Sequence, residues 1–261
     1  MTESIVEAEV QESTGDRYLP KPGKSMLWLL LFGALYFAAS ALFFMGYTVK
    51  ILLQHTDMVS NPELQAMVQE SVEQYAKTAG GLSGMYLVQF IVLLPIIIWA
   101  SHFKTQSFKE TLGFRKVSLK SLGVWLLIFI GFFILQVLVD VIFKVESGEF
   151  LKGVNGSKNV LFIFVLLVVA PLLEEMIFRG YFFKAWRQSW LGLTGTLLVT
   201  SALFMSLHLG QYGIIQYIFL FLLSMLLGLA REFTGSIWTP IILHSVNNVV
   251  PAIVVVFLGI A

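Results

Sequence analysis

Long runs of apolar residues, separated by shorter polar segments, make up most of the sequence after residue 24. A helix needs about 20 apolar residues to span the hydrocarbon layer of a membrane. No run alternates apolar and polar residues with the period of two that a barrel strand requires. Helices are therefore expected throughout, because unpaired backbone groups are too costly in lipid. The candidate spans are 26–49, 84–103, 122–143, 160–182, 191–209, 213–230 and 237–259.

These runs predict an all-α fold, a polytopic transmembrane helical bundle of about seven spanning helices, with six to eight as the expected range. Residues 1–24 form a polar, acidic tail without the basic start and short apolar core of a signal peptide. We expect N-terminal membrane helices in residues 25–159, with an outer loop at about 50–83, and a second membrane region in residues 160–261. In this layout, most loop Lys and Arg residues lie on the same side of the membrane as the N-terminus. Because positive loops stay inside, the N-terminus is predicted to be inside.

The composition favours a multi-pass integral membrane protein in a lipid bilayer. Hydrophobic residues make up 57% of the chain, charged residues only 13%, and the mean hydropathy is +0.82. Basic and acidic residues number 17 and 16, which lacks the positive footprint of a nucleic-acid binder, so no nucleic-acid partner is expected. Cysteine is absent, which excludes disulfides, thiolate metal sites and a cysteine nucleophile.

Three charges lie within the fourth apolar run, where each costs roughly 2.5–3.5 kcal/mol near mid-membrane. Glu175 and Arg179 are four residues apart with the acid first, so they can pair on one helix face. Glu174 lies about 100° around the helix from Glu175, which leaves its carboxylate available for chemistry. Taken alone, these charges fit a structural role, between helices or in a water cavity, as well as they fit a functional one. Asp140, near the end of the third run, is explained by interfacial solvation.

Two later runs carry histidine with a partner one helical turn away. Phe204 precedes His208 by four residues, and Asn248 follows His244 by four, so each pair shares a helix face. Taken alone, each pair is more typical of a structural histidine or of an amide that bonds a neighbouring helix. Three polar clusters on the last four runs, however, indicate one shared site.

Taken together, Glu174-Glu175-x-x-x-Arg179, Phe204-x-x-x-His208 and His244-x-x-x-Asn248 resemble the three motifs of the CAAX protease and bacteriocin-processing (Abi) family of intramembrane endopeptidases. The resemblance covers residues 160–251 and implies that residues 160–261 are a catalytic core. It implies that Glu174 activates water, that His208 assists, and that His244 and Asn248 stabilise the oxyanion. Glu175 and Arg179 complete the first motif.

The resemblance leaves the role of metal open, because Glu174, His208 and His244 are a ligand set that suits catalytic zinc. No His-Glu-x-x-His occurs, so we expect a metal-free mechanism with no required cofactor. The implied partner is a membrane-bound or lipidated peptide or protein, and the implied location is a bacterial cell membrane. The alternative is a non-catalytic membrane partner, such as a bacteriocin-immunity or regulatory protein. A transporter would require paired broken helices in two repeated halves, which the sequence lacks.

One geometric difficulty remains in a seven-span layout. Glu174 falls in the inner half of its helix, whereas His208 falls at the outer end of the next one. The two side chains meet only if the fourth helix continues past Lys184 or if the uncharged link 209–213 dips into the membrane. We expect an aqueous cavity near mid-depth, opening on the inner side.

Overall fold

The computed structural model describes residues 22–55, 62–102, 106–146 and 148–260. These residues form ten helices and no strand, which confirms the all-α prediction. Six helices are long and apolar enough to cross a membrane. They are α1 (Pro22–Gln54), α3 (Ala79–Ala100), α5 (Leu119–Phe143), α7 (Val160–Arg187), α9 (Ile214–Thr234) and α10 (Trp238–Phe257). The shorter helices are α2 (Pro62–Lys77), α4 (Phe108–Leu112), α6 (Glu149–Val154) and α8 (Gly192–Ser206).

The fifth predicted span, 191–209, is shorter than expected. Helix α8 has 15 residues, which at 1.5 Å per residue gives a length of about 22 Å. The hydrocarbon layer is about 30 Å thick, so α8 does not cross it fully. The described part of the chain therefore has six helices that can span a membrane and one shorter apolar helix, within the predicted range.

Helix α7 is the central helix of the bundle. More than half of the residues in its most apolar stretch are buried inside the protein, whereas only 6% of those in the corresponding stretch of α5 are buried. It continues past Lys184 to Arg187, which is the first of the two solutions that the sequence allowed. Two of its segments, Val165–Val169 and Met176–Phe182, are π-helical. Such wide turns expose backbone carbonyls to partners on other helices.

Aromatic packing joins the N-terminal helices to α7. Phe32 of α1 packs edge-on against Tyr181 and Phe182 of α7, with ring centroids 5.6 and 5.8 Å apart. One helical turn further along α7, the Trp186 indole Nε1–H donates to Ser25 Oγ at 2.6 Å. Buried aromatic pairs of this kind prefer edge-to-face geometry and add to the hydrophobic stabilisation. The N-terminal helices thus form one wall around the C-terminal half of the chain.

The predicted polar tail, 1–24, lies largely outside the described residues, since the structure begins at residue 22. The predicted loop 50–83 contains helix α2, which packs Leu64 and Val68 against Ile51 at the end of α1. Helix α3 follows directly, with Thr78 as its N-cap. The prediction for residues 56–61 lies outside the described part of the chain.

Candidate active site

The three motifs meet around one cavity inside the C-terminal half of the chain. The cavity has a volume of about 80 Å³. Glu174 comes from α7, His208 from the link after α8, and His244 and Asn248 from α10. All four line its wall. The structure therefore brings together the four residues that the sequence predicts as catalytic.

Glu174 presents its carboxylate to this cavity. The residue is 8% exposed, and no hydrogen bond joins its side chain to the residues that the structure describes. The nearest imidazole nitrogen, Nε2 of His244, lies 3.9 Å from Glu174 Oε2, which is beyond hydrogen-bond distance. A water molecule or a substrate group can therefore reach this carboxylate without displacing a partner within the protein.

Glu175 and Arg179 form a buried ion pair on the other side of α7. Arg179 Nη1 donates to Glu175 Oε1 at 2.9 Å, and both side chains are fully buried. Arg179 Nη2 also donates to the carbonyl and hydroxyl oxygens of Ser224 on α9, at 2.8 and 2.6 Å. These bonds offset the desolvation of the guanidinium and join α7 to α9.

Glu175 has a second partner that the sequence did not predict. Its Oε1 also accepts a hydrogen bond from His244 Nδ1, at 3.0 Å. The carboxylate can only accept, so Nδ1 carries the proton. This bond fixes the orientation of the imidazole and turns Nε2 toward Glu174. Glu175 is therefore both an ion-pair partner and the group that positions His244. No sequence pattern signals a contact between residues 69 positions apart.

Two hydrogen bonds hold His208 in place, one to its ring and one to its backbone carbonyl. Its Nδ1–H donates to the Phe204 carbonyl at 3.1 Å, which leaves Nε2 as an acceptor. The Tyr217 hydroxyl donates to the His208 carbonyl at 2.9 Å and anchors the link to α9. Both contacts fix the position of the His208 ring beside the cavity.

The contacts of the Phe204 ring explain why the second motif begins with an aromatic residue. It lies between the two histidines, with centroids 5.1 Å from His208 and 5.7 Å from His244. The Arg179 guanidinium lies 4.8 Å from the centre of the same ring, within cation–π distance. Phe204 thus sets the spacing between the imidazoles and packs the buried ion pair from α8.

Asn248 is tied to the irregular backbone of α7. In the π-helical turn, the Ala170 N–H bonds the Val165 carbonyl, and Pro171 has no N–H. The Leu166 carbonyl therefore receives no donor from residues 170 and 171, and Asn248 Nδ2 donates to it instead, at 2.9 Å. This leaves one N–H of the Asn248 amide for another acceptor.

Four further polar side chains line the cavity without having been predicted: Tyr86, Gln211, Tyr212 and Asn247. Tyr86 lies on α3, outside the motif-bearing helices, and its hydroxyl interacts with that of Tyr36 on α1. Tyrosine is common near the ends of membrane helices, so its presence in the sequence gave no signal. Asn247 could have been considered, since it neighbours Asn248 and donates to its Oδ1 at 3.3 Å.

The side chains around the cavity do not fit a catalytic zinc site. Across the described ranges, no three His, Asp or Glu side chains are gathered closely enough to hold a metal ion. Catalytic zinc requires three protein ligands within about 2.0–2.2 Å of one point. In this arrangement, Glu174, His208 and His244 do not form such a set.

The fold and this pocket define a polytopic helical membrane protein with a buried acid, two imidazoles and an amide in its C-terminal half. Residues 156–250 match the family model described as type II CAAX prenyl endopeptidase Rce1-like. The match covers less than half of the chain, and all four candidate residues lie within it. It confirms, for this part of the chain, the resemblance to CAAX proteases that the motifs carry.

A protein of Escherichia coli described as "Uncharacterized 24.3 kDa protein" is similar over part of the chain. The two sequences are 27% identical over 131 residues, which is 47% of this chain and 57% of the relative. The chain therefore spans less than two thirds of the length of that relative. No solved structure matches the chain.

Proposed function

We propose that this protein is an intramembrane endopeptidase that hydrolyses a peptide bond of a membrane-bound or lipidated peptide or protein. The observation that carries the proposal is the cavity where the Glu174 carboxylate faces two imidazoles. The family match over residues 156–250 supports it. A carboxylate enclosed by protein and close to histidine is a common arrangement for a general base.

In the proposed reaction, Glu174 takes a proton from a water molecule while the water oxygen attacks the scissile carbonyl carbon. His208 accepts a hydrogen bond from this water through Nε2 and holds it in position. The carbonyl π electrons move to oxygen and form an oxyanion. When the tetrahedral intermediate collapses, the C–N bond breaks and Glu174 returns the proton to the leaving amine nitrogen.

The oxyanion would be stabilised by His244 and Asn248. Because Nδ1–H is already bonded to Glu175, His244 would donate toward the cavity through Nε2 in its doubly protonated form, in which both ring nitrogens are donors. The Asn248 amide would use its second N–H, because the first donates to Leu166. Donors fixed in this way lose little freedom during the reaction, which is the basis of electrostatic stabilisation. The mechanism needs no metal.

The proposed setting is a bacterial cell membrane with the N-terminus inside. Six apolar helices support the integral membrane location, and the similar Escherichia coli protein supports a bacterial one.

The deciding experiment compares Glu174→Gln, Glu174→Asp and Glu175→Gln in cells, with Glu146→Gln as a control in an exposed loop. Glutamine keeps the shape of Glu174 but cannot take a proton, so processing of a candidate substrate should vanish with the first variant. Peptides that copurify with the Glu174→Gln protein then identify substrates. If the phenotype survives while this variant stays in the membrane, the protein is instead a non-catalytic partner, such as an immunity or regulatory protein.

A further inference from the structure

A second, larger cavity lies beside the candidate active site, between α5, α9 and α10. We call it the lateral groove. Its volume is about 320 Å³, at the lower end of the range for ligand pockets. Apolar side chains form most of its wall, among them Phe133, Phe219 and Val254. The groove is therefore suited to an apolar ligand segment.

The lateral groove and the active-site cavity share part of their walls. Leu166, Tyr212, Asn247 and Asn248 line both spaces. Asn248 is also the proposed oxyanion donor, so a chain lying in the groove would pass directly beside the proposed reacting carbonyl. The groove thus lies directly against the site, with these residues between the two spaces.

Asp140 stands out among the polar residues of the groove. It lies in the last turn of α5, where the helix dipole disfavours a negative charge. Its Oδ1 is buried and has no hydrogen-bond partner among the described residues. Within the protein, the Asp140 side chain interacts with Gln136, one turn earlier on the same helix. An acid in an apolar helix with this little support is costly to the fold.

The other polar groups of the groove have structural partners. Gln216 donates to the Glu146 carbonyl at 3.0 Å and accepts from the Gly213 N–H at 2.8 Å. Asn247 and Asn248 bond each other. Asp140 thus differs from Gln216 and Asn248, whose amides bond backbone carbonyls outside their own helices, whereas the partner of the Asp140 carboxylate among the described residues lies on its own helix.

We propose that the lateral groove binds the substrate chain on one side of the scissile bond and that Asp140 binds a basic side chain or free amino group of that chain. This inference rests on the proposed endopeptidase function. A carboxylate at the wall of an apolar groove is complementary to an apolar segment flanked by one cation. Membrane-associated peptides commonly carry Lys or Arg directly beside their apolar segments. The substrate class is therefore an apolar peptide with a nearby positive charge.

The test uses synthetic N-acylated peptides in liposomes, in which one position at a time is Lys, norleucine or Glu. Binding is measured with the Glu174→Gln protein, and cleavage is measured with the protein that retains Glu174. We expect one position at which Lys binds about tenfold more tightly than norleucine, because a hydrogen bond between two charged groups is stronger than contacts to an apolar side chain at the same place. Asp140→Asn should remove this preference by raising KM with little change in kcat, and Asp140→Lys should favour the Glu peptide.

Glu146→Gln is the matched control. Glu146 follows α5 and forms an exposed contact with Lys152 at 4.0 Å, so the preference for Lys should survive its replacement. Equal preference in the protein with Asp140 and in Asp140→Asn would overturn the inference. So would affinity that depends on acyl-chain length alone, since the groove would then hold lipid. Selective binding without any cleavage would instead contradict the endopeptidase function and leave the Asp140 site standing.

Discussion

Glu175 and His244 are joined by a 3.0 Å hydrogen bond between helices α7 and α10. The same Glu175 oxygen accepts the Arg179 guanidinium at 2.9 Å. One carboxylate thus connects the buried cation of the first motif to the imidazole of the third. The stability of the bundle and the orientation of the site are coupled through this residue, and the two effects can be separated by mutation.

Replacing Arg179 with Leu should leave Glu175 buried without its cation. Breaking a buried pair by removing one partner costs about 3–5 kcal/mol. We therefore expect lower abundance in the membrane and a lower unfolding temperature in detergent. The control is Arg187→Leu, which removes a partly exposed pair with Glu232 and should have a much smaller effect.

The double variant Glu175→Leu with Arg179→Met separates packing from orientation. Apolar replacement of both partners is often neutral or stabilising, so abundance should recover relative to Arg179→Leu. Activity should stay low, because His244 has lost the acceptor for its Nδ1 proton. Recovery of both abundance and turnover would show that Glu175 does not position His244.

Asn248→Ala should reduce both stability and activity. The Leu166 carbonyl would lose its donor, and an unsatisfied buried acceptor costs about 1–3 kcal/mol. Adding Pro171→Ala supplies a backbone N–H at the position where the π-helical turn lacks one. The double variant should recover thermal stability, measured by unfolding in detergent. Its kcat should stay about 10²–10³ lower if Asn248 also donates to the oxyanion. Full recovery of kcat would make Asn248 a positioning residue only.

Tyr86→Phe tests whether the N-terminal helices contribute to the reaction. The change removes one hydroxyl from the cavity wall and leaves the ring in place. We expect kcat to fall by about tenfold, corresponding to about 1.4 kcal/mol, with unchanged abundance. Tyr47→Phe is the control, because the Tyr47 ring stacks on Tyr75 at 4.0 Å and does not line the cavity. Equal activities of the two variants would exclude a role for the Tyr86 hydroxyl.

Metal dependence is checked on purified protein. We expect cleavage to continue after treatment with a strong chelator, because Glu174 performs the proton transfer in the proposed mechanism. Elemental analysis of the same preparation gives the zinc content. Stoichiometric zinc that is lost together with activity, and restored by added zinc, would contradict the metal-free mechanism.

Contacts along one helix could be predicted from the sequence. Hydrophobic run lengths located the six long helices, and the four-residue spacing of Glu175 and Arg179 agrees with the pair in the structure. Both depend only on helix periodicity and on the thickness of a membrane. The roles of Glu174, His208, His244 and Asn248 in catalysis remain predictions, although the structure places the four around one cavity.

Contacts between helices could not be predicted in the same way. Asn248 meets Leu166 only because a π-helical turn and Pro171 together leave that carbonyl without a donor, and local propensity does not reveal such a turn. Asp140 was attributed to interfacial solvation, and no sequence pattern indicated that it also lines the lateral groove. The early end of α8 at Ser206 was missed because the apolar run continues beyond it to residue 209.

The short length of α8 affects how water could reach the candidate active site. A helix that falls several ångströms short of the hydrocarbon thickness forces the surrounding lipid to thin or to admit solvent at its end. In this protein that end is followed by Leu207 to Gly213, including His208, Gln211 and Tyr212, all three of which border the candidate active-site cavity. Under the proposed function each cleavage would consume one H₂O, and a bilayer thinned beside α8 would shorten the path of that water to Glu174.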